Sequence, residues 1–534
     1  MLNNNTASTG DNTPVSYARH SYVGVIRIAS PPVNALGQAV RQGIVDALQQ
    51  ALADDDAEVI VLLAAGRTFI AGADIREFGK PPQAPLLSDV VASLEASPKP
   101  LIAVLHGTAL GGGLEVALGC HLRIALEGTR IGLPEVKLGL LPGAGGTQRL
   151  PRLAGVAVAL DIITSGRFVS TDEALHHGIL DEVVDSNDPM AAGLTAAEQW
   201  LAGRYTPRNT GALPAPEADI DAIQRYRVQL ERDVPYLYSP FRCVEAVEAS
   251  TRLPFAEGLK RERELFMQCM DSPQRAGMIH AFFAARGTHK VPGIDSDTTL
   301  TTLGLLGCHP LFETLASHAS KAQVSLINLN DTPNSRDNIQ ACLVGPDVNN
   351  SQRQQIRDSL PLGTLMVEMG TPHAPPTQPD HADATLVLPP RDVSQPICEL
   401  VDHAGNAVLV QALANTLKQL KHQVVVTRNK SVIATLNEAL RDALTEVPEL
   451  QAAAWQSQGW DLSPWLSSEV STTHNAEASR DSQQLLDLAW QQAAAKTVQA
   501  DQVHRDGDID VLAIHAFGYP PHLGGPSFRS KTSR

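Results

Sequence analysis

The stretch LIAVLHGTALGGGLEVALGC, Leu101 to Cys120, constrains the fold more than any other part of the chain. An apolar run of strand length passes through a short turn into three glycines and then into an apolar segment of helical length. A strand with no polar side needs cover on both faces, the situation of α/β folds whose helices blanket a mostly parallel sheet. The segments before it agree. YVGVIRIA (22–29) alternates as a strand, and SPPVNAL then turns the chain. Val40, Ile44, Leu48 and Leu52 recur at helical spacing, and VIVLLAA (59–65) is a second continuous apolar run. A helix around 86–94 and the breaker SPKP lead back to the opening stretch. Residues 17–190 therefore predict one α/β domain.

A chain of 534 residues predicts roughly two to four domains. From 191 to 293 strand signals give way to helical ones, and from 294 to 428 a second, more polar α/β pattern follows: TTLTTLGLLGCHPLFETLA, QVSLINLND, GTLMVEM and ATLVLPP. Residues 429–534 read as helical, with SSEVSTTHNAEASRDS (467–482) expected to be a mobile connection. The polar first 16 residues are expected to be disordered, and no apolar run approaches about 18 residues, so no membrane span is predicted. A formal charge of -16 and 4% aromatic residues argue against a nucleic-acid partner. Six cysteines without a CxxC pair read as reduced thiols in a cytoplasmic protein, and no metal site is predicted. The closing KTSR is not the peroxisomal tripeptide.

Glu115 is the one acid between His106 and Cys120. A solvent-facing glutamate is the ordinary alternative, but Leu114, Val116, Ala117 and Leu118 favour a buried functional acid. Gly111, Gly112 and Gly113 place bare backbone N–H groups at a helix N-terminus, suited to an oxygen that becomes negative. In AGAD, Gly72, Ala73 and Asp74 offer a second close backbone approach through the Ala73 N–H. Glu135 follows Pro134; it is either a dipole partner in a loop or the second member of an acid pair that divides proton donation and acceptance.

SPPVNALGQAVRQGIVDAL, GRTFIAGADIREFG, HGTALGGGLEVALGCHLRIA and LPEVKLGLLPGAGGTQRLPRLAG together resemble the enoyl-CoA hydratase/isomerase (crotonase) family, in particular the hydratase half of multifunctional fatty-acid β-oxidation enzymes. The stretch 239–293 resembles the helical connection of those enzymes and is expected to pack against the first domain. The resemblance implies a crotonase-like ββα superhelix, a helical linker, a degenerate Rossmann-like domain and a shortened C-terminal helical region. It implies Glu115 and Glu135 as catalytic acids, and Ala73 and Gly112 as oxyanion donors to an acyl-CoA thioester. Hydration then needs no cofactor, and shifting a 3-enoyl double bond to position 2 falls within the same chemistry. Gly72, Asp74, Gly111 and Gly113 would frame the substrate. Arg76 is either a contact to the CoA phosphates or an ordinary surface arginine. A thiolase partner and self-association stay open.

The second half departs from the pattern. Where the dehydrogenase half of the family carries G-x-G-x-x-G, this chain reads LGLLGCHPLF; Gly304 and Gly307 remain at the wrong spacing, with His309-Pro310 at the helix start. Asn328 stands near the place of the ribose-binding acid, and Val387 falls at the place of the catalytic histidine while Glu399 remains. NAD binding is therefore not expected. Two alternatives stay open: a non-catalytic acyl-CoA-binding scaffold, and a still bifunctional hydratase/dehydrogenase.

Overall fold

A computed structural model describes residues 13–78, 80–330, 336–370, 382–390, 397–446, 455–456, 458–465 and 476–532. It divides into two compact units, 1–275 and 276–534. The first is built on a six-stranded sheet of β1 (Val15–His20), β2 (Val23–Ile28), β3 (Val59–Ala64), β4 (Leu101–Leu105), β6 (Leu122–Leu126) and β9 (Glu182–Val184), in that order. Only the β1–β2 pair is antiparallel. A smaller sheet joins β5 (Thr108–Leu110), β7 (Arg130–Gly132) and β8 (Val169–Ser170).

The apolar run of β3 is explained by cover on both faces. Ile60 and Leu62 face one core together with α1 (Gln38–Ala53), α2 (Leu87–Glu95), α3 (Gly112–Leu118), α4 (Gly146–Ala154) and α5 (Val156–Ser165). Val59, Val61 and Leu63 face another, closed by Ala192, Ala196 and Ala197. Beyond α6 (Thr171–His176), those alanines lie on α7 (Pro189–Leu201), which Asp188 caps through the Met190 N–H with Pro189 at the first helical position. The small residues matter, because a Cβ on Gly193 would lie 2.7 Å from Val61 Cγ1.

Residues 191–271 are therefore not a free-standing connector. α7 begins before the expected boundary, and α8 (Ile220–Asp233), α9 (Ser239–Arg252) and α10 (Phe255–Asp271) send Ile223, Leu230, Val244, Val247 and Leu265 into the first core. The packing expected of the linker is present, and the division into units falls at Arg275/Ala276 rather than at 293. The expectation of a disordered 1–16 also needs correction: Val15 and Ser16 pair with Ile28 and Arg27 in β1, while residues 1–12 lie outside the described residues.

In the second unit, α11 (Pro273–Ala284) leads towards a seven-stranded sheet. Its strands are β10 (Thr302–Leu306), β11 (Ser325–Asn328), β12 (Ala341–Val344), β13 (Leu365–Gly370), β14 (Ala384–Val387), β15 (Ile397–Asp402) and β16 (Gln423–Arg428), in the order β11-β10-β12-β13-β14-β15-β16. β14–β15 is the one antiparallel pair. α12 (Pro310–Ala322), α13 (Asn350–Ser359) and α14 (Ala407–Gln419) accompany the sheet. The order corrects the Rossmann-like expectation. β12 returns to the far side of β10 instead of extending the sheet beyond β11, which is the flavodoxin-like variant of a doubly wound sheet. After β16, α15 (Val432–Glu446) and the helices 476–499 and 506–517 bury Trp455, Trp460, Trp465, Trp490, Phe517 and Tyr519 in one aromatic core. Residues 467–475 of the expected mobile connection lie outside the described residues; 476–482 are helical. Among the described residues no helix is long and apolar enough to cross a membrane.

Candidate active site

The site is assembled where β4 and β5 feed α3. Gly111 caps α3 with φ 54° and ψ -127°, a conformation open only to glycine, and a Cβ there would lie 2.9 Å from Glu135 Oε1. A Cβ on Gly113 would lie 2.3 Å from the Ile70 carbonyl oxygen. The triple glycine thus lets α3 seat against the AGAD segment. As the first helical residue, Gly112 has no intrahelical acceptor for its N–H, and Ala73 N lies 3.5 Å from the position of a Cβ on Gly112. The two expected oxyanion donors therefore adjoin. Gly72, at φ 122°, turns the chain beneath Leu110 O.

Glu115 is 2% exposed, which removes the solvent-facing alternative. Its Oε1 accepts from Ala144 N at 2.7 Å and Gly146 N at 2.9 Å. Burial raises its pKa, while those two amides and the Arg149 guanidinium pull in the other direction. Glu135, on the turn Pro134–Leu138, is brought against Gly111, close enough for the charge of Glu115 to act on it. Its pKa is raised well above the ordinary carboxylate value, first by burial and then by the charge of Glu115, and its buried Oε2 has no hydrogen-bond partner among the described residues. The two acids, one buried and one half-buried, thus differ in what stabilises their charge, the condition under which one keeps a proton that the other releases.

A third acid was not singled out from the sequence. Glu262 of α10, 1% exposed, accepts from Gly145 N at 2.6 Å through Oε1, and from Thr147 N at 2.9 Å and Thr147 Oγ1 at 2.5 Å through Oε2. Its pKa is pushed up to about 8, first by burial and then by Glu115. The run KRERE disguises it as part of a solvated face. Its spacing gives it away, since Gly258, Leu265 and Cys269 form the buried stripe at i−4, i+3 and i+7. Behind the loop, Arg149 holds Glu95 through Nε and Nη2 at 3.1 and 2.7 Å and donates to Ala144 O at 3.1 Å.

Arg76 stands apart, with its side chain 83% exposed and its guanidinium held by Asp74 through Nη2–Oδ2 at 2.7 Å and Nε–Oδ1 at 2.9 Å. That contact keeps the Asp74 carboxyl below its ordinary range.

The corresponding turn of the second unit is filled by its own side chains. Gly304 lies inside β10 against Leu329 and Ile339; Gly307 follows the strand at φ 78°. Gly307 N donates to Asn330 Oδ1 at 3.0 Å and Cys308 N to Asp347 Oδ1 at 2.9 Å, while His309 Nδ1 accepts from Leu311 N at 3.1 Å. The amides that would cradle a pyrophosphate are occupied, and one partner is a carboxylate. Asn328 spends Oδ1 on Asn330 N at 3.0 Å. Val387 sits directly opposite Glu399 across β14–β15. Glu399 is fully buried and already accepts from Thr427 Oγ1, Ser431 Oγ, Val432 N and Ile433 N, holding the start of α15. Among the described residues no cluster of metal-ligating side chains occurs.

The mixed-sheet α/β framework of the first unit thus sets Glu115 on α3 and Glu135 against the Gly111 turn, with the Gly112 and Ala73 amides adjoining. The family model described as enoyl-CoA hydratase/isomerase matches residues 18–210 of this chain. The chain is similar to the peroxisomal bifunctional enzyme of Danio rerio, 42% identical over 271 residues covering 50% of this chain and 37% of that protein. It is likewise similar to the peroxisomal bifunctional enzyme of Homo sapiens, 42% identical over 51% of this chain and 38% of that protein. The glyoxysomal fatty acid beta-oxidation multifunctional protein MFP-a of Brassica napus is 37% identical over 51% of this chain and 39% of that protein. The chain thus spans well under half the length of these relatives.

Proposed function

We propose that the first unit is an enoyl-CoA hydratase of fatty-acid β-oxidation, adding water across the double bond of a trans-2-enoyl-CoA. The observation that carries this reading is the pairing of Glu115 with Glu135 beside the Gly112 and Ala73 amides. Those amides would donate to the thioester oxygen and stabilise it as the enolate develops. Glu115, whose charge is supported by two N–H groups and Arg149, takes a proton from water as its oxygen bonds to C3. Glu135, whose unpartnered Oε2 favours the protonated form, delivers a proton to C2. Protons then balance: one leaves water for Glu115, one leaves Glu135 for carbon, and the pair resets by exchange. The same enolate and shuttle serve the shift of a 3-enoyl double bond to position 2.

The second unit, on this reading, carries no dehydrogenase chemistry, because Asn330 and Asp347 hold the turn amides and Val387 supplies no imidazole to act as base. The relatives named for peroxisomes and glyoxysomes lend no support to a cytoplasmic site of action. The test follows the absorbance of the conjugated thioester with crotonyl-CoA, then adds NAD to the same cuvette. Absorbance should fall without NADH appearing. No loss at any acyl length would remove the hydratase reading in favour of an acyl-CoA binder, and an NADH signal would restore the bifunctional one.

A further inference from the structure

Four successive backbone amides at the start of α4 are shared alternately between two buried acids from different parts of the chain. Ala144 and Gly146 donate to Glu115 of α3; Gly145 and Thr147 donate to Glu262 of α10. Successive N–H groups can point to opposite sides here because Gly145 adopts φ 98°. The loop is pinned from both sides. A Cβ on Gly146 would lie 2.9 Å from Glu115 Oε1, so Glu115 is already at contact distance, and any shift of the loop changes its grip. Among the described residues only Oε1 of Glu115 is hydrogen-bonded, which leaves Oε2 for a reacting water. Glu262 lies outside residues 18–210, on a helix that the sequence assigns to a linker.

We propose that Glu262 is a positioning residue for the reaction: it pins the 144–147 loop so that Ala144 and Gly146 fix the rotamer of Glu115, and its carboxyl is electrostatically tied to the catalytic pair. This inference rests on the hydratase reading. The groups facing Glu262 support it. From α3 comes Glu115, from the Pro134–Leu138 turn Glu135, and from α4 Thr147. Gln148 Nε2 braces the Thr147 hydroxyl at 3.0 Å and reaches Ala246 O of α9 at 2.8 Å. A helix N-terminus favours negative charge within its first turn, and here it serves two carboxylates at once. The alkaline behaviour of Glu135 includes a contribution from Glu262, whose charge raises the Glu135 pKa.

The test compares kcat, KM and the pH dependence of kcat for crotonyl-CoA hydration in the full chain, with Glu262→Gln and Glu262→Asp, each checked for folding by circular dichroism. Gln removes the charge and mismatches one of the two amides. Asp keeps the charge but is a methylene too short to span both. Both should lower kcat by about 10- to 100-fold with KM within about threefold, as expected for misplacement of a reacting group. In Glu262→Gln the alkaline limb of kcat should move to lower pH, since the neighbouring charge that holds the proton on Glu135 is gone; in Glu262→Asp it should stay. A merely structural role leaves that limb in place. Folded variants with kcat within twofold of the parent and an unmoved limb overturn the proposal, and if Glu262→Gln does not fold, an unchanged kcat in Glu262→Asp does so alone. A parent chain that does not hydrate crotonyl-CoA overturns the hydratase reading, and this inference with it.

Discussion

The turn after β4 and the turn after β10 use the same device, a glycine-bearing loop that leads from a buried strand to the start of a helix, and they use it in opposite ways. After β4, the Gly112 amide begins α3 without an intrahelical acceptor, and Glu135 lies across from Gly111 with one oxygen unpartnered among the described residues. After β10, Gly307 and Cys308 donate to Asn330 and Asp347, so the segments that follow β11 and β12 satisfy the turn. A buried polar group without a partner costs free energy. On the hydratase reading, a fold that retains such groups beside one turn while filling those beside the other is arranged for chemistry in the first place and for stability in the second.

The sharpest way to break this contrast is to neutralise each turn in turn. Glu115→Gln and Glu135→Gln should each reduce kcat for hydration by about 10³-fold, within the range for loss of a positioned acid or base. Asp347→Ala should leave hydration within about twofold, because that carboxylate holds the Cys308 amide in the turn of the second unit. Steady-state kinetics on the three variants decides the matter. Retention of turnover by either glutamine variant would deprive the first turn of its role.

A smaller effect is expected on stability. Glu262 titrates near 8 in the folded chain, and Glu115 and Glu135 are raised in the same direction. Between the ordinary carboxylate pKa and these raised values, the folded state holds protons that the unfolded state has released. Stability is therefore full below about pH 4.5 as far as these groups are concerned, and it falls as pH rises towards and through 8. The loss is on the order of a few kcal/mol, measurable as a drop in Tm between pH 5 and pH 8.5. Glu135→Gln, which replaces a buried acid by a neutral amide, should show a shallower drop. An equally steep fall in that variant would contradict burial as the cause of the raised value.

Much of this arrangement was legible in the sequence, for reasons the structure makes plain. Continuous apolar runs at β3 and β4 announced a sheet covered on both faces, and the glycines at 111–113 announced a close approach, realised against Ile70 O and Glu135. Local pattern failed where tertiary contact decides. β1 looked like part of a polar terminus because its burial is confined largely to Val15. The sheet order of the second unit depends on which side of β10 the chain returns to, a choice that strand-length runs do not encode. Glu262 was hidden by its charged neighbours although its buried stripe was present in the spacing.

The smallest expected effect concerns Arg76, the site residue whose role the sequence left open. An arginine with a side chain 83% exposed, already paired with Asp74, gives up part of that pairing when it turns to another anion, so its net contribution to binding is small. If it meets the phosphates of the CoA moiety, Arg76→Ala should raise KM for crotonyl-CoA by about two- to threefold at low salt, and less at high salt because the contact is screened. Crotonyl-pantetheine, which has no phosphates, should show no change. An equal rise for both thioesters would instead mean that Arg76 acts through Asp74 on the AGAD turn, and the contrast between a donor turn kept open and one closed by its own side chains would then extend to the Ala73 donor.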